Sequence, residues 1–409
     1  MYNITDFGAK SGTLCTNSIQ AAIDECAKNG GGTVTVPAGL YISGTIYLKS
    51  NVELNLMHGS VLKASTDMND YNPDDAYEQN WGSQNEKWRG KHFIVAVEQT
   101  NVAVTGTGLI DGSGDFFFGT ERNFIDNYAW DGGYVTSKDL ELLRPGQVLC
   151  FIECTDVTVT DISMKNAPCW ELYLYGCEYA RIRGIKITNP FECVNTDGID
   201  IDCCQNVTVS DCIITTGDDA IAVRCSDKRL KKYRVCENIS ISNCVLASNS
   251  GAFRIGVGTG EIRHVTVSGI TVSKAGNLIT YATSFDGRGN ARISDIIFNG
   301  ITAHNVGSVI DAYVFKGYLK NIVMKNMLVS SVGGIYLYAK DPGFISDISF
   351  KDIRIEITDS TRTKETNLVT AIGTEGVTLD CVTVINDDRS KKLFLDEDNK
   401  NFTVSNCNF

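Results

Sequence analysis

The chain is 409 residues long, 43% hydrophobic and 21% charged, which excludes a disordered, collagenous or coiled-coil protein. Its 49 acidic residues against 37 basic ones leave a formal charge of −12, which argues against nucleic acid as a partner. No uninterrupted apolar run reaches the roughly 18 residues of a membrane span, so no membrane partner is expected.

The N-terminus, Met1-Tyr2-Asn3-Ile4-Thr5-Asp6-Phe7-Gly8, enters a folded pattern at once. It lacks the charged, apolar and small-residue succession of a secretion signal, and a cytoplasmic location is expected. The stretch from Asn17 to Ala27 has helical apolar spacing and runs out at Gly30-Gly31-Gly32. A helix there is expected to cap the open end of the strands beyond it.

Those strands form a repeat. Alternating apolar and polar residues recur from Val157, Ala180, Val207, Ile239 and Val265, and again from Ile293, Ile322, Ile345, Val377 and Phe402. One such strand cannot bury its own apolar face, so the copies must stack. With few helical stretches between them, the expected fold is all-β, a single-domain parallel β-helix over 1–409. Two stretches interrupt the pattern, at about 66–92 and 112–147. They carry Trp81, Trp88, Trp130 and Phe116-Phe117-Phe118, which suit either sugar-stacking walls or packing onto the scaffold.

The 15 cysteines, many beside strand residues, read as small buried hydrophobes of a reducing compartment. No paired Cys-x-x-Cys exists, and there are four histidines (His58, His92, His264, His304), so neither metal nor cofactor is expected.

Asn195-Thr-Asp-Gly-Ile-Asp-Ile-Asp-Cys203 aligns without gaps on Gly217-Asp-Asp-Ala-Ile-Ala-Val-Arg-Cys225. One turn of coil is expected to separate them, bringing Asp197 beside Asp219, with Asp218 at the same level. Three acids this close repel, so at least one is expected to hold its proton near neutrality. Isolated Asp residues more often terminate strands or bind calcium. Three in register on adjacent coils favour chemistry instead, whereas Asp200 and Asp202 read as ordinary turn or strand-face residues.

The Asn195-Thr196-Asp197 and Gly217-Asp218-Asp219 pair resembles the signature of polygalacturonase-type pectinases, glycoside hydrolase family 28. Further likeness runs through Asp6-Phe7-Gly8-Ala9, Gly30 to Pro37, Leu48 to Val52, Gly106 to Gly112 and Asn166 to Trp170. The resemblance implies a right-handed β-helix and hydrolysis with inversion. It implies Asp218 as general acid, Asp197 and Asp219 as the pair that holds and deprotonates water, and Asn195 as a substrate contact. An inverting acid and base generally stand roughly 6.5–9.5 Å apart.

The departures bear on the substrate. The family's Gly-His-Gly falls on Asn249-Ser250-Gly251, placing Ser250 where the histidine is usual. Its Arg-Ile-Lys falls on Tyr281-Ala282-Thr283, before Gly287-Arg288-Gly289, and a downstream tyrosine falls near Ser308. Those family cations hold a sugar carboxylate, so their loss points to a neutral or decorated sugar at the cleavage point. Tyr281 is then a candidate substrate contact, and Arg224 and Arg254 are candidate replacement cations. The basic run Asp227 to Arg234 suits either a distal carboxylate or a solvated loop. The leading reading is an exo-acting inverting hydrolase on pectin-derived oligosaccharides. The alternatives are a polysaccharide lyase and a non-catalytic carbohydrate-binding solenoid; the oligomeric state stays open.

Overall fold

Valines spaced two apart decide the architecture. In Val157-Thr-Val-Thr, both valines point inward and are buried while the threonines face outward, and the same positions recur one coil later. Val157 pairs with Ala180 and Ala180 with Val207, always in parallel. The computed structural model describes residues 1–118, 142–226, 229–284, 289–358, 367–385, 393–395 and 398–408. Within them the coils form a parallel β-helix and gather into two units.

The first unit holds the described residues up to Asp218 together with Arg229–Tyr233. Each of its coils gives one strand to each of three ladders. The first ladder runs through Gly32–Val36, Val52–Leu56, Thr100–Gly106, Thr155–Thr160, Glu178–Arg183 and Gln205–Ser210. The second runs from Gly39–Ser43 to Ile213–Thr216. The third stacks Ile94–Val97, Leu149–Ile152, Leu172–Tyr175 and Ile199–Asp202. The expected helix α1 spans Thr16–Lys28 and buries Ile19, Ala22, Ile23 and Cys26 against the first coils.

Strands of the third ladder are buried on both sides. Behind the inward Leu149, Leu172 and Ile199, the outward Cys150, Tyr173 and Tyr175 are covered by Trp81, Trp88 and Trp170. Trp88 has no exposed surface, and its ring lies 4.4 Å from that of Trp81, centroid to centroid. Trp88 and Trp170 therefore pack into the scaffold and offer no face to a sugar, while Trp81 is half-buried against them; Trp130 lies outside the described residues. Asp200 and Asp202 are strand-face residues of Ile199–Asp202, buried under this layer, and Tyr173 donates its hydroxyl to Asp202 Oδ2 at 3.2 Å.

The basic run is not a free loop. Lys231 Nζ meets Glu98 at 2.5 Å and Glu78 at 3.6 Å, Leu230 packs on the aromatic layer, and the Arg229 amide donates to the Tyr175 hydroxyl. Lys231 thus faces the protein's own acids; Asp227 and Lys228 lie outside the described residues.

The second unit begins at Asp219. Its third ladder runs from Ile221–Cys225 through Gly251–Gly258 and the ends of Glu261–Ala282 and Arg292–Val314 to Ile335–Ala339 and Val369–Ile372. Here the register corrects two expected repeat starts. Ile296 and Ile348, not Ile293 and Ile345, align with Val265, Ile322 and Val377. Asp295 and Asp347 sit between each pair of isoleucines at φ 56° and 55°, and this left-handed kink turns both isoleucines inward. Asparagine and aspartate tolerate that conformation and bond along the stack, as Asn321 Nδ2 does to Asp295 Oδ1 at 2.6 Å.

Thirteen of the 15 cysteines are buried, with Cys154, Cys177 and Cys204 stacked at equivalent points of successive coils.

Candidate active site

Asp197 stands two residues before the strand Ile199–Asp202, at the head of the third ladder. Its carbonyl accepts the Glu171 amide at 2.9 Å, which ties this backbone to the preceding coil. Thr196 is buried and structural. Its hydroxyl donates to the Cys193 carbonyl at 2.8 Å and accepts the Gly217 amide at 3.0 Å. Gly217 has no alternative, since a Cβ there would lie 2.1 Å from the Cys193 oxygen. The conformation so fixed presents Asp218, half-exposed, with Oδ2 accepting the Asn195 amide at 3.1 Å. Asn195 itself is left-handed, at φ 53°.

Carboxylate oxygens of Asp197 and Asp218 lie within 4.8 Å of each other.

Two residues that the sequence did not single out shape this half of the site. Arg144 is fully buried and donates to the Glu86 carbonyl at 2.6 Å, to the Pro168 carbonyl and to Asn195 Oδ1 at 2.7 Å. Its guanidinium also lies 5.2 Å from the centroid of the Phe118 ring. It latches the inserted stretch to Asn195. The second is Glu171, also fully buried. Burial pushes its carboxyl up to about 8, against the pull of the Asn189 amide, and nearby Asp111 adds to the rise. A lone Arg in an irregular segment and a Glu in an apolar run carry no periodic signal.

In the second unit, Asp219 is buried and fully engaged. Its Oδ1 accepts the Gly251 amide at 2.9 Å, the Ser250 hydroxyl at 3.0 Å and Arg254 Nη2 at 3.2 Å, and Arg254 Nε pairs with Oδ2. Ser250 thus occupies the expected histidine position as a donor to an acid. Arg254, a candidate replacement cation, is paired with Asp219 and supplies it a counter-charge. Arg224 lies half-buried on the same strand as Ala222, the partner of Arg254.

Tyr281 corrects the sequence reading. It pairs with the inward Ile255 and Ala312 and is fully buried, so it cannot touch substrate. The alternation puts Thr280 and Ala282 outward on either side of it. Ser308 is also buried, donating to Asn277 Oδ1 at 3.0 Å, while outward Asp311 pairs with Thr280. Gly287 and Arg288 lie outside the described residues.

The profile of the glycosyl hydrolases family 28 matches residues 26–372. The chain belongs to that family. It is 30% identical over 230 residues to a probable polygalacturonase of Vitis vinifera, covering 54% of this chain and 44% of that protein. An exo-poly-alpha-D-galacturonosidase of Dickeya chrysanthemi is 30% identical over 256 residues, with 54% and 41% covered. The chain thus spans less than half the length of these two relatives. Among solved structures, a hyperthermoactive exopolygalacturonase of Thermotoga maritima superposes with TM-score 0.71 at 22% identity, over 96% of this chain and 91% of that one. A family 28 exopolygalacturonase of Yersinia enterocolitica gives TM-score 0.75 at 19% identity, over 97% and 78%. Family 28 membership and these likenesses make the fold a right-handed parallel β-helix.

Proposed function

We propose that the protein is an inverting, exo-acting glycoside hydrolase of pectin-derived oligosaccharides, with a neutral or decorated sugar at the cleavage point. The observation that carries the reading is the pairing of the Asp197 and Asp218 carboxylates at a strand head, with Asp219 next in the chain, in a family 28 pattern. Asp218, the more exposed acid, protonates the leaving oxygen. Asp219, already bonded to Arg254, Ser250 and Gly251, orients the water, and Asp197 takes its proton. Asn195, held by Arg144, positions the sugar. No cofactor enters these steps.

Tyr281-Ala282-Thr283 supports the sugar preference, because a buried sugar carboxylate would find no cation at the positions expected for the family's Arg-Ile-Lys. The names of the Dickeya and Yersinia relatives support exo action. The odd count of 15 cysteines, most of them buried beside strand residues, supports action in a reducing, cytoplasmic compartment. The test is incubation with polygalacturonate and with oligosaccharides ending in rhamnose, xylose or galactose, read by product mass and anomeric NMR. Release of single terminal neutral sugars with inverted configuration is expected. Turnover of polygalacturonate alone would overturn the sugar assignment, and an unsaturated ultraviolet-absorbing product would make the protein a lyase.

A further inference from the structure

We propose that an exposed aromatic cluster on the second unit is an outlying glycan-binding platform, which receives the far end of an oligosaccharide. Tyr313, Phe315 and Phe344 are 44%, 44% and 46% exposed, unusual for rings of this size. Tyr338 and Tyr318 lie beside them, half-buried. The Phe315 and Tyr338 centroids are 5.6 Å apart, and those of Tyr318 and Phe344 are 5.4 Å apart with planes 28° from parallel. Tyr313 pairs in register with Tyr338, and Tyr318 with Phe344, so all five gather on two successive coils about one corner.

Their place selects the ligand. Tyr313 and Tyr338 occupy the outward column Gly256, Ala282, Tyr313, Tyr338, Ile372 of the third ladder. Asp219 stands at the head of that ladder, three coils before Tyr313. Three coils at about 4.8 Å and five residues along the strand at about 3.3 Å, from Ser308 level with Asp219 to Tyr313, make the separation roughly 22 Å, a reach for an oligosaccharide rather than a disaccharide. Tyr318 and Phe344 open the adjacent ladder, whose later outward column is Asn299, Lys325 and Lys351, so the rings gather at its start, next to the end of the ladder that begins at Asp219. A pyranose offers an apolar face of C–H groups, and an aromatic face carries the complementary negative potential.

The inference rests on reading the Asp219 strand head as the cleavage point, and its test reads binding without turnover. Titration of the full chain with size-fractionated oligogalacturonates and rhamnogalacturonan oligosaccharides, by calorimetry, is expected to give tighter binding of hexasaccharides than of disaccharides. Tyr313→Ala with Phe315→Ala is expected to weaken hexasaccharide binding about tenfold and so remove that preference. Tyr313→Phe, which keeps the ring, is expected to restore it to within about twofold. Unchanged hexasaccharide affinity in the alanine variant, with its melting curve unaltered, would overturn the proposal. So would a dimer in sedimentation that the alanine variant dissociates, since the rings would then serve a second copy of the chain. Absence of hydrolysis in the wild type would remove the catalytic reading and leave the binding result standing.

Discussion

Replacing Glu171 by glutamine tests the energetics beneath the candidate acids. Glu171 is fully buried, its amide holds the Asp197 carbonyl, and its carboxyl is pushed from 4.5 up to about 8. Between those values the folded protein keeps the proton and the unfolded chain releases it. The stability that neutral Glu171 allows is therefore full below about pH 4.5 and is lost as pH rises through about 8. The gap, 8 − 4.5, is about 3.5 pH units and at 1.36 kcal/mol each amounts to about 5 kcal/mol. Glu171→Gln keeps the shape and removes the ionisation. Urea unfolding followed by circular dichroism at pH 4.5, 7 and 9 should show the variant within about 1 kcal/mol of wild type at the lowest pH and about 3–5 kcal/mol more stable at the highest. Wild type and variant losing stability in parallel across that range would refute the reasoning.

Asp218→Asn should lower turnover by about 10²–10⁴ while oligosaccharide affinity stays within a few-fold, measured by product release and calorimetry; a non-catalytic binder would show no such split. Arg254→Gln strips the guanidinium from Asp219, whose side chain is 3% exposed, and should cost about 2–4 kcal/mol in chemical denaturation. Gly217→Ala drives a Cβ into the Cys193 carbonyl and should cost about 1–3 kcal/mol, with a fall in turnover as Asp218 is displaced.

The solenoid was legible because its faces are built by strict alternation, as in Val157-Thr-Val-Thr, and because stacking is the one way to bury such strands. The acids were legible because Asn195-Thr-Asp and Gly217-Asp-Asp repeat at the length of one coil. Alternation misleads where a left-handed residue inverts the parity, which is why Ile293 was expected in place of Ile296. Tyr281 was expected at the substrate because the family's Arg-Ile-Lys falls on it, and without the register an inward ring and an outward one read alike. Trp88 was ambiguous for another reason: the surface that covers it lies far along the chain. Arg144 acts through contacts with residues 24, 51 and 58 positions distant, and no local pattern announces such a group.

The segment Arg229–Tyr233 alters how the first unit can assemble. In a plain solenoid each repeat depends on its immediate neighbours, so folding can advance one rung at a time as the chain is synthesised. Here Arg229 donates to the carbonyl of Asn80, 149 positions earlier, and Leu230 seals the tryptophan layer. Several early rungs must wait for late-made residues before their outer side is closed. Once clasped, those rungs should melt as one block rather than fray singly from an end.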